Sequence, residues 1–276
     1  MASPNGAPRE FPLDLERTRY SYIERPNPAL VALLEEHVLE GRTEPRILDV
    51  GCGCGAHARA VRERAPRAHI TGIEPNPQAA ALAAEACDEV FSGTLDEYLA
   101  TQAESESAAA APFDGVVLSD VLEHTADPVA FLRALAAAPA LRAATIVLSV
   151  PNYAVWYNRL FTLAGRFEYW WSGLYDRTHL RFFTRRSIRA LLEYCDFEVV
   201  ADRCSSSLAQ SLVPVLRPFF ARDVAAGNHL TVLESPVYRF YQRAIEPVET
   251  ALCQVWPELL GFQIVSVARL RAPISG

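Results

Sequence analysis

The chain has 276 residues, half of them hydrophobic, which is enough to bury one α/β core with an insertion or cap. Its formal net charge of -7 gives no general attraction for a phosphate backbone and therefore argues against nucleic acid as a partner. The six cysteines contain no Cys-x-x-Cys pair, so we expect reduced thiols, no disulfide framework and a cytoplasmic location.

The N-terminal residues are rich in proline, alanine and glycine, and they lack the basic start and apolar run of a signal peptide. We therefore expect a flexible tail over 1–19, followed by one domain over 20–276. No stretch of about 18 residues is apolar and free of charge, so the sequence predicts no transmembrane segment. Peripheral contact with a membrane stays open.

The first predicted elements alternate between helix and strand. Apolar spacing predicts a helix over Pro28–Leu39, and Arg46–Val50 is typical of a buried strand. A turn with three glycines follows, then a helix over Ala56–Arg64, a strand over His69–Glu74 and a helix over Pro77–Glu85. The order strand, glycine turn, helix, strand indicates a βαβ unit.

The alternation continues toward the middle of the chain. Further strands are predicted at Glu89–Phe91, Phe113–Leu118 and Ala144–Val150, with a helix over Pro128–Ala138. This alternation predicts a parallel sheet that is covered by helices.

Two segments interrupt this regular pattern in the last part of the chain. Residues 152–184 are rich in aromatic side chains and predict a cap insertion after the fifth strand, whereas 207–259 predict a mainly helical insertion before the last strand. A helix over Arg185–Tyr194 and a strand over Phe197–Ala201 lie between the two insertions, and Gly261–Leu270 alternates as a final strand.

The glycine turn predicts a nucleotide-like ligand, because backbone without Cβ atoms can approach a ligand closely at a helix N-terminus. The spacing Gly51-x-Gly53-x-x-Ala56 also fits a dinucleotide, as in NAD-dependent oxidoreductases. Asp49 favours a different ligand, because its carboxylate would repel a pyrophosphate and attract an ammonium. S-adenosylmethionine carries an ammonium and no phosphate. Glu74 ends the second strand and can accept hydrogen bonds from both ribose hydroxyls of either cofactor.

Three motifs together resemble class I S-adenosylmethionine-dependent methyltransferases over residues 20–205. They are Ile47-Leu48-Asp49-Val50-Gly51-Cys52-Gly53-Cys54-Gly55, Asp120-Val121-Leu122-Glu123-His124 with Asp127-Pro128, and Val150-Pro151-Asn152. The segment Tyr175-Asp176-Arg177-Thr178-His179-Leu180-Arg181-Phe182-Phe183-Thr184 resembles a bacterial small-molecule branch (methyltransferase domain 23/11-like). The resemblance implies a Rossmann-like fold, with a seven-stranded, mostly parallel sheet and helices on both faces.

The resemblance also implies the cofactor contacts. Asp49 and the backbone of the glycine turn would hold the amino acid moiety of S-adenosylmethionine, and Glu74 would hold the ribose. Near the adenine the match is looser, and Thr94 and Leu95 are the residues implied there. Ser119 and Asp120 would line the opening toward the substrate. The full predicted cofactor set is Asp49, Gly51, Cys52, Gly53, Glu74, Pro75, Thr94, Leu95, Ser119 and Asp120.

The predicted catalytic residues are two histidines, and each has a structural alternative. His179 lies in the aromatic insertion beside Asp176 and Arg177 and is the candidate general base, because an imidazole can accept a hydroxyl proton. An equal alternative is that His179 anchors the insertion to the core. His124 is the second candidate and could also brace a turn. The predicted substrate contacts are Tyr20, Asn152, Trp156, Tyr175 and Arg181.

The sequence thus predicts methyl transfer to a small molecule, most directly to a hydroxyl oxygen, in an enzyme of natural-product or saccharide type. Nitrogen or carbon acceptors and a non-catalytic module that only binds the cofactor are the alternatives. No metal is predicted, because the Cys52-x-Cys54 pair lies in the turn already assigned to the cofactor. No oligomeric state is predicted.

Overall fold

A computed structural model of the chain describes residues 25–104, 111–167, 169, 173–205, 243–244 and 246–271. The predicted tail, Tyr20 and most of the helical insertion over 207–259 lie outside these residues. The strands are β1 Arg46–Val50, β2 His69–Ile73, β3 Glu89–Phe91, β4 Gly115–Ser119, β5 Thr145–Pro151, β6 Phe197–Ser205 and β7 Gln263–Leu270. The described helices are α1 Pro28–Leu34, α2 Ala56–Arg64, α3 Pro77–Ala83, α4 Leu95–Glu104, α5 Pro128–Ala137, α6 Trp156–Leu163, α7 Arg185–Tyr194, α8 Glu246–Val255 and α9 Pro257–Leu260.

The strands form one seven-stranded sheet in the order β3-β2-β1-β4-β5-β7-β6. The first five strands pair in parallel, and β7 is antiparallel to both of its neighbours, β5 and β6. This confirms the predicted Rossmann-like, mostly parallel sheet. The strand order reverses direction between β1 and β4, and such a switch point is where open α/β sheets bind ligands.

Both faces of the sheet are covered by helices, as alternate residues of the central strands show. Leu48, Leu118 and Leu148 are fully buried on the face that packs against α5 and α7. Their chain neighbours, such as Ile47 and Val117, point to the opposite face and belong to a second apolar cluster, together with residues of α1, α2 and α3. Burial of both faces explains why these strands are nearly continuous runs of apolar residues.

Three helices begin with the same local chemistry. Asn27, Asn76 and Asp127 each accept hydrogen bonds from backbone N–H groups of the helix that follows, and a proline occupies the first turn in each case. Thr184 begins α7 with a reciprocal capping box to Ser187. These local signals explain why the predicted starts of α1, α3, α5 and α7 are confirmed.

Two helical features differ from the sequence prediction. The predicted helix over Pro28–Leu39 is α-helical only to Leu34 and continues as a π-helical turn over Glu35–Leu39. Helix α4 was not predicted, since its sequence has little apolar periodicity and only Leu95 and Tyr98 are buried. Among the described residues, no helix is long and apolar enough to span a membrane.

The described part of the predicted cap packs over the end of the sheet and has its own small apolar core. Val155, Tyr157, Leu174 and Tyr175 are buried together with Phe262, which immediately precedes β7. Backbone hydrogen bonds also join the start and end of the cap, from Tyr153 N–H to the carbonyl of Phe183 over 2.7 Å. The two ends of the segment are therefore held together at the carboxyl end of β5.

Candidate active site

The predicted cofactor loop lies at the carboxyl end of β1, at the switch point of the sheet. Gly51 has a φ of 69°, a left-handed conformation that favours glycine. A Cβ at this position would lie 2.9 Å from Cγ2 of Val121, so the loop packs directly against the segment after β4. The N–H groups of Gly51 and Cys52 both donate to the carbonyl of Ile73, which fixes the loop to β2. The Cys52 side chain is buried, so only its backbone can contribute to the predicted cofactor contact.

Asp49 is the strongest electrostatic feature of this loop. Its side chain is 2% exposed, and neither carboxylate oxygen has a hydrogen-bond partner among the described residues. Burial, and secondarily the charge of Glu74, raises the pKa of Asp49 to about 7. A buried carboxylate of this kind is stabilised by a cation, so the site fits the ammonium of the amino acid moiety of S-adenosylmethionine.

Glu74 lies at the end of β2 with both carboxylate oxygens oriented by backbone donors. Gly53 N–H donates to Oε2 over 3.0 Å, and Asn76 N–H donates to Oε1 over 2.9 Å. An ionised carboxylate oxygen can accept more than one hydrogen bond, so both oxygens of Glu74 can also accept from a ligand. The geometry therefore suits the predicted bidentate contact to a ribose, beside the loop that carries Gly53.

The predicted adenine-side residues occupy the turn after β3. Thr94 is exposed, and its N–H and hydroxyl both donate to Oε2 of Glu97, over 2.7 and 3.0 Å. Leu95 is buried in the core, whereas Pro75 is exposed after β2. The contacts of Thr94, Leu95 and Pro75 with the cofactor stay predictions.

Ser119 and Asp120 lie at the end of β4, on the other side of the switch point. Asp120 has a φ of 54°, and its carboxylate accepts two hydrogen bonds from Nε2 of Gln263, over 2.8 and 2.7 Å. Gln263 in turn accepts from the side chain of Asn27. Burial raises the pKa of Asp120, and the hydrogen bonds from Gln263 partly offset this. Gln263 is a site residue that the sequence prediction missed.

The two predicted catalytic histidines are brought into contact by the cap. The rings of His124 and His179 pack edge to face with centroids 4.8 Å apart. Nδ1 of His124 lies 3.2 Å from the carbonyl of Thr178, and Nδ1 of His179 lies 3.2 Å from the carbonyl of Leu174. Burial lowers the pKa of His124, and burial together with His124 lowers that of His179 to about 4.

Glu123 completes this cluster; the sequence places it in the Asp120–His124 motif but did not assign it a site role. Its side chain is 1% exposed, and both carboxylate oxygens are buried without a hydrogen-bond partner among the other described residues. Burial, followed by the charge of Asp120, raises the pKa of Glu123 well above its ordinary value. The signal in the sequence was its position between Asp120 and His124.

The predicted substrate residues that the structure describes differ in burial and in the contacts that they make. Trp156 is half-buried and makes an edge contact with Tyr157. Arg181 is exposed and donates to the carbonyls of Leu180 and Ala126. Tyr175 is buried, and its hydroxyl donates to Oδ1 of Asn158, so it belongs to the core of the cap rather than to an open surface.

Asn152 also differs from its predicted role as a substrate contact. It is fully buried, and its Nδ2 donates to the carbonyls of Gly261 and Glu258 over 2.8 and 3.2 Å. Its Oδ1 accepts from Ala154 N–H over 3.0 Å. With both ends of the amide bonded to backbone, Asn152 anchors the cap to the segment before β7.

We expect Asn152→Ala to lower the free energy of unfolding by about 2–4 kcal/mol, because it leaves several buried backbone groups without a partner. Urea unfolding monitored by circular dichroism measures this loss. Gln102→Ala, an exposed change in α4, is the control and should stay within about 0.5 kcal/mol of the parent. An equally small effect for Asn152→Ala would contradict the anchoring role.

Comparison with known proteins shows to which family this chain belongs. A family model described as a methyltransferase domain matches residues 20–202. The chain belongs to this methyltransferase domain family. The resemblance to class I S-adenosylmethionine-dependent methyltransferases that the sequence predicted is thereby confirmed, and the residues of the β1 loop fit that cofactor.

Curated relatives of this methyltransferase domain protein include ubiquinone biosynthesis O-methyltransferases from several bacteria. The one from Methylocella silvestris is 38% identical over 88 residues, which are 32% of this chain and 33% of the relative. The one from Stutzerimonas stutzeri is 34% identical over 112 residues, 40% of this chain and 45% of the relative. The chain thus spans less than half of the length of either relative.

Among solved structures, the cyclase SpnF matches 93% of this chain and 87% of its own, with a TM-score of 0.51 and 19% identity. This likeness shows the fold alone. A fold does not by itself specify a reaction.

Proposed function

We propose that this chain transfers a methyl group from S-adenosylmethionine to a hydroxyl oxygen of a small-molecule acceptor. The observation that carries the proposal is the contact between His124 and His179, next to Glu123 and close to the end of β4. A hydroxyl must lose its proton to become a methyl ether, and a cluster of imidazoles is suited to assist that loss. His179 remains the candidate general base and His124 its neighbour.

The residues of the β1 and β2 ends bind and orient the cofactor in this proposal. Asp49 pairs with the ammonium, Glu74 accepts from the ribose hydroxyls, and the Gly51 and Gly53 backbone supports the amino acid moiety. When bound, S-adenosylmethionine supplies a methyl group that moves to the acceptor oxygen as the carbon–sulfur bond breaks and its electron pair stays on sulfur. Fixed positions for both partners supply much of the rate.

A second reason for proposing oxygen as the acceptor atom is the similarity to O-methyltransferases. The relatives from Methylocella silvestris and Stutzerimonas stutzeri are both named as O-methyltransferases of ubiquinone biosynthesis. The cap adds an aromatic surface. The ring centroids of Tyr153 and Phe182 lie 4.9 Å apart, and Phe167 and Phe182 are partly exposed. We therefore favour a hydroxylated ring of natural-product type as the acceptor.

The test is a methyl-transfer assay with isotopically labelled S-adenosylmethionine and matched acceptors, namely phenols, saccharides and the corresponding amines. We expect label in a methyl ether of a hydroxylated ring, and no transfer by Glu74→Ala at the same cofactor concentration. Label on nitrogen or carbon would favour the alternative acceptors. Cofactor binding without transfer to any acceptor would favour a non-catalytic binding module.

A further inference from the structure

Three side chains of metal-ligand type meet where the cap contacts the turn after β4. One ligand atom from each of Glu123, His124 and His179 lies within 4.8 Å of the other two. The Glu123 carboxylate accepts no hydrogen bond from the other described residues, and the residue is 1% exposed. A buried carboxylate without a donor or a counter-charge is costly, so this position calls for a positively charged or donating ligand.

Both imidazoles of this cluster are oriented by backbone carbonyls. A carbonyl oxygen only accepts hydrogen bonds, so the contacts of Nδ1 of His124 with Thr178 and of His179 with Leu174 place the ring hydrogen on Nδ1. The lone pair of each ring is then on Nε2. Metal-binding histidines are oriented in this way, with the second nitrogen donating to a carbonyl or carboxylate.

The backbone holds the three residues in place independently of any ligand. The N–H groups of Leu180 and Arg181 both donate to the carbonyl of Glu123, over 2.7 and 3.0 Å. The N–H of His179 donates to the carbonyl of Asp176 over 3.0 Å. The cap segment that carries His179 is therefore docked on the turn that carries Glu123 and His124.

We propose that Glu123, His124 and His179 bind one divalent transition-metal ion, of which Zn²⁺ is the best match. Two imidazole nitrogens and one carboxylate are a ligand set for Zn²⁺, and three protein ligands leave one position open. With tetrahedral metal–ligand bonds of about 2.0–2.2 Å, donor atoms lie about 3.3–3.6 Å apart. Binding would therefore shorten a separation of 4.8 Å by roughly 1.2–1.5 Å. The sequence prediction of no metal considered only Cys52 and Cys54, in a different part of the site.

The role of this ion rests on the proposed function, although its binding does not. An acceptor hydroxyl at the open position would become more acidic and release its proton to water, leaving an oxygen ready to accept the methyl group. Buried Glu123 would supply negative charge to the ion, and the two neutral imidazoles would complete its coordination. The cluster would then assist the acceptor through the metal, and His179 would act as a metal ligand instead of as the general base.

The test uses the full chain, stripped with a chelator, desalted and titrated with Co²⁺ while its visible absorption is followed. We expect one Co²⁺ per chain, a ligand-field band typical of four or five ligands, and displacement by Zn²⁺. Glu123→Gln and His179→Ala should each weaken Co²⁺ binding by at least about tenfold. His69→Gln is the matched control, because His69 is 32% exposed and lies 4.0 Å from Asp88 and 3.7 Å from Glu89; it should bind like the parent.

Absence of stoichiometric Co²⁺ and Zn²⁺ binding by the parent chain would overturn the proposal without reference to any variant. Binding that survives in both Glu123→Gln and His179→Ala, or that is lost equally in His69→Gln, would do the same. Calorimetry with S-adenosylhomocysteine on the same samples separates the two proposals. If the parent chain binds S-adenosylhomocysteine but no metal, only the metal site is contradicted. If the parent chain does not bind S-adenosylhomocysteine, the proposed function is contradicted.

Discussion

Replacing Asp49 with Asn is expected to raise the dissociation constant for S-adenosylhomocysteine by about 10- to 100-fold. The substitution keeps the shape of the side chain and removes its charge, so the ligand ammonium loses a charge-assisted hydrogen bond worth about 1.5–3 kcal/mol. Isothermal titration calorimetry of the parent and the variant measures the change. Glu85→Gln removes an exposed carboxylate elsewhere and should leave the dissociation constant unchanged.

The same carboxylate gives the affinity a pH dependence with a definite sign. Because burial and Glu74 raise the pKa of Asp49 to about 7, a falling pH protonates the side chain, and the ammonium must then compete with a proton. We expect the affinity of the parent chain to fall by up to about tenfold for each pH unit below this pKa. The ligand amine itself loses its charge only at alkaline pH. Asp49→Asn should lose the acidic slope and keep the basic one.

Asp49→Asn should also stabilise the chain in the absence of cofactor. A pKa raised from 3.8 to about 7 means that the folded state holds this proton more tightly than the unfolded state, so stability falls as the pH rises from the lower to the higher of these values. Above the higher value the cost is on the order of 4 kcal/mol, and the neutral amide avoids it. Denaturant unfolding at about pH 8 measures the gain. If the Asp49→Asn variant is no more stable than the parent and binds S-adenosylhomocysteine equally well, Asp49 is not the buried carboxylate that pairs with the ligand ammonium.

The second large effect is expected from His179→Ala. We expect turnover to fall by about 100-fold or more, the range of a lost acid–base group, while the dissociation constant for S-adenosylhomocysteine stays within about twofold. Cofactor binding should persist because His179 lies in the cap against His124 and not in the β1 loop. Single-turnover kinetics with a hydroxyl acceptor and calorimetry with S-adenosylhomocysteine measure the two quantities separately.

His69→Gln is the control for His179→Ala, because it also removes an imidazole next to carboxylates. It should keep both turnover and cofactor binding. Unchanged turnover in His179→Ala would leave His179 with a structural role only, namely anchoring the cap through Leu174. A parallel loss of cofactor binding and folding would point to the same structural role.

The sequence predicted those features whose physical cause is local. The glycine turn after Asp49 requires left-handed backbone, and Glu74 follows a strand that must end at the same edge of the sheet as β1. Helix starts such as Asn27-Pro28 depend on side chains and backbone only two or three residues apart. For these elements the printed sequence contains nearly all of the necessary information.

The features that the sequence did not predict depend on contacts between distant segments. Gln263 lies 143 residues after Asp120 and reaches it only because β7 inserts next to β5. Glu123 stands out only when the cap docks on it through Leu180 and Arg181. Asn152 was predicted to contact substrate because it ends β5 at the correct edge, and only the structure shows its amide bonded to backbone.

We expect the β1 loop to bind an S-adenosyl ligand through Asp49 and Glu74. The most direct test is parallel calorimetric titration of the full chain with S-adenosylhomocysteine, S-adenosylmethionine and NAD. We predict one site that binds the first two ligands and no binding of NAD, since Asp49 repels a pyrophosphate. Binding of NAD, or no binding of either S-adenosyl ligand, would contradict this cofactor assignment.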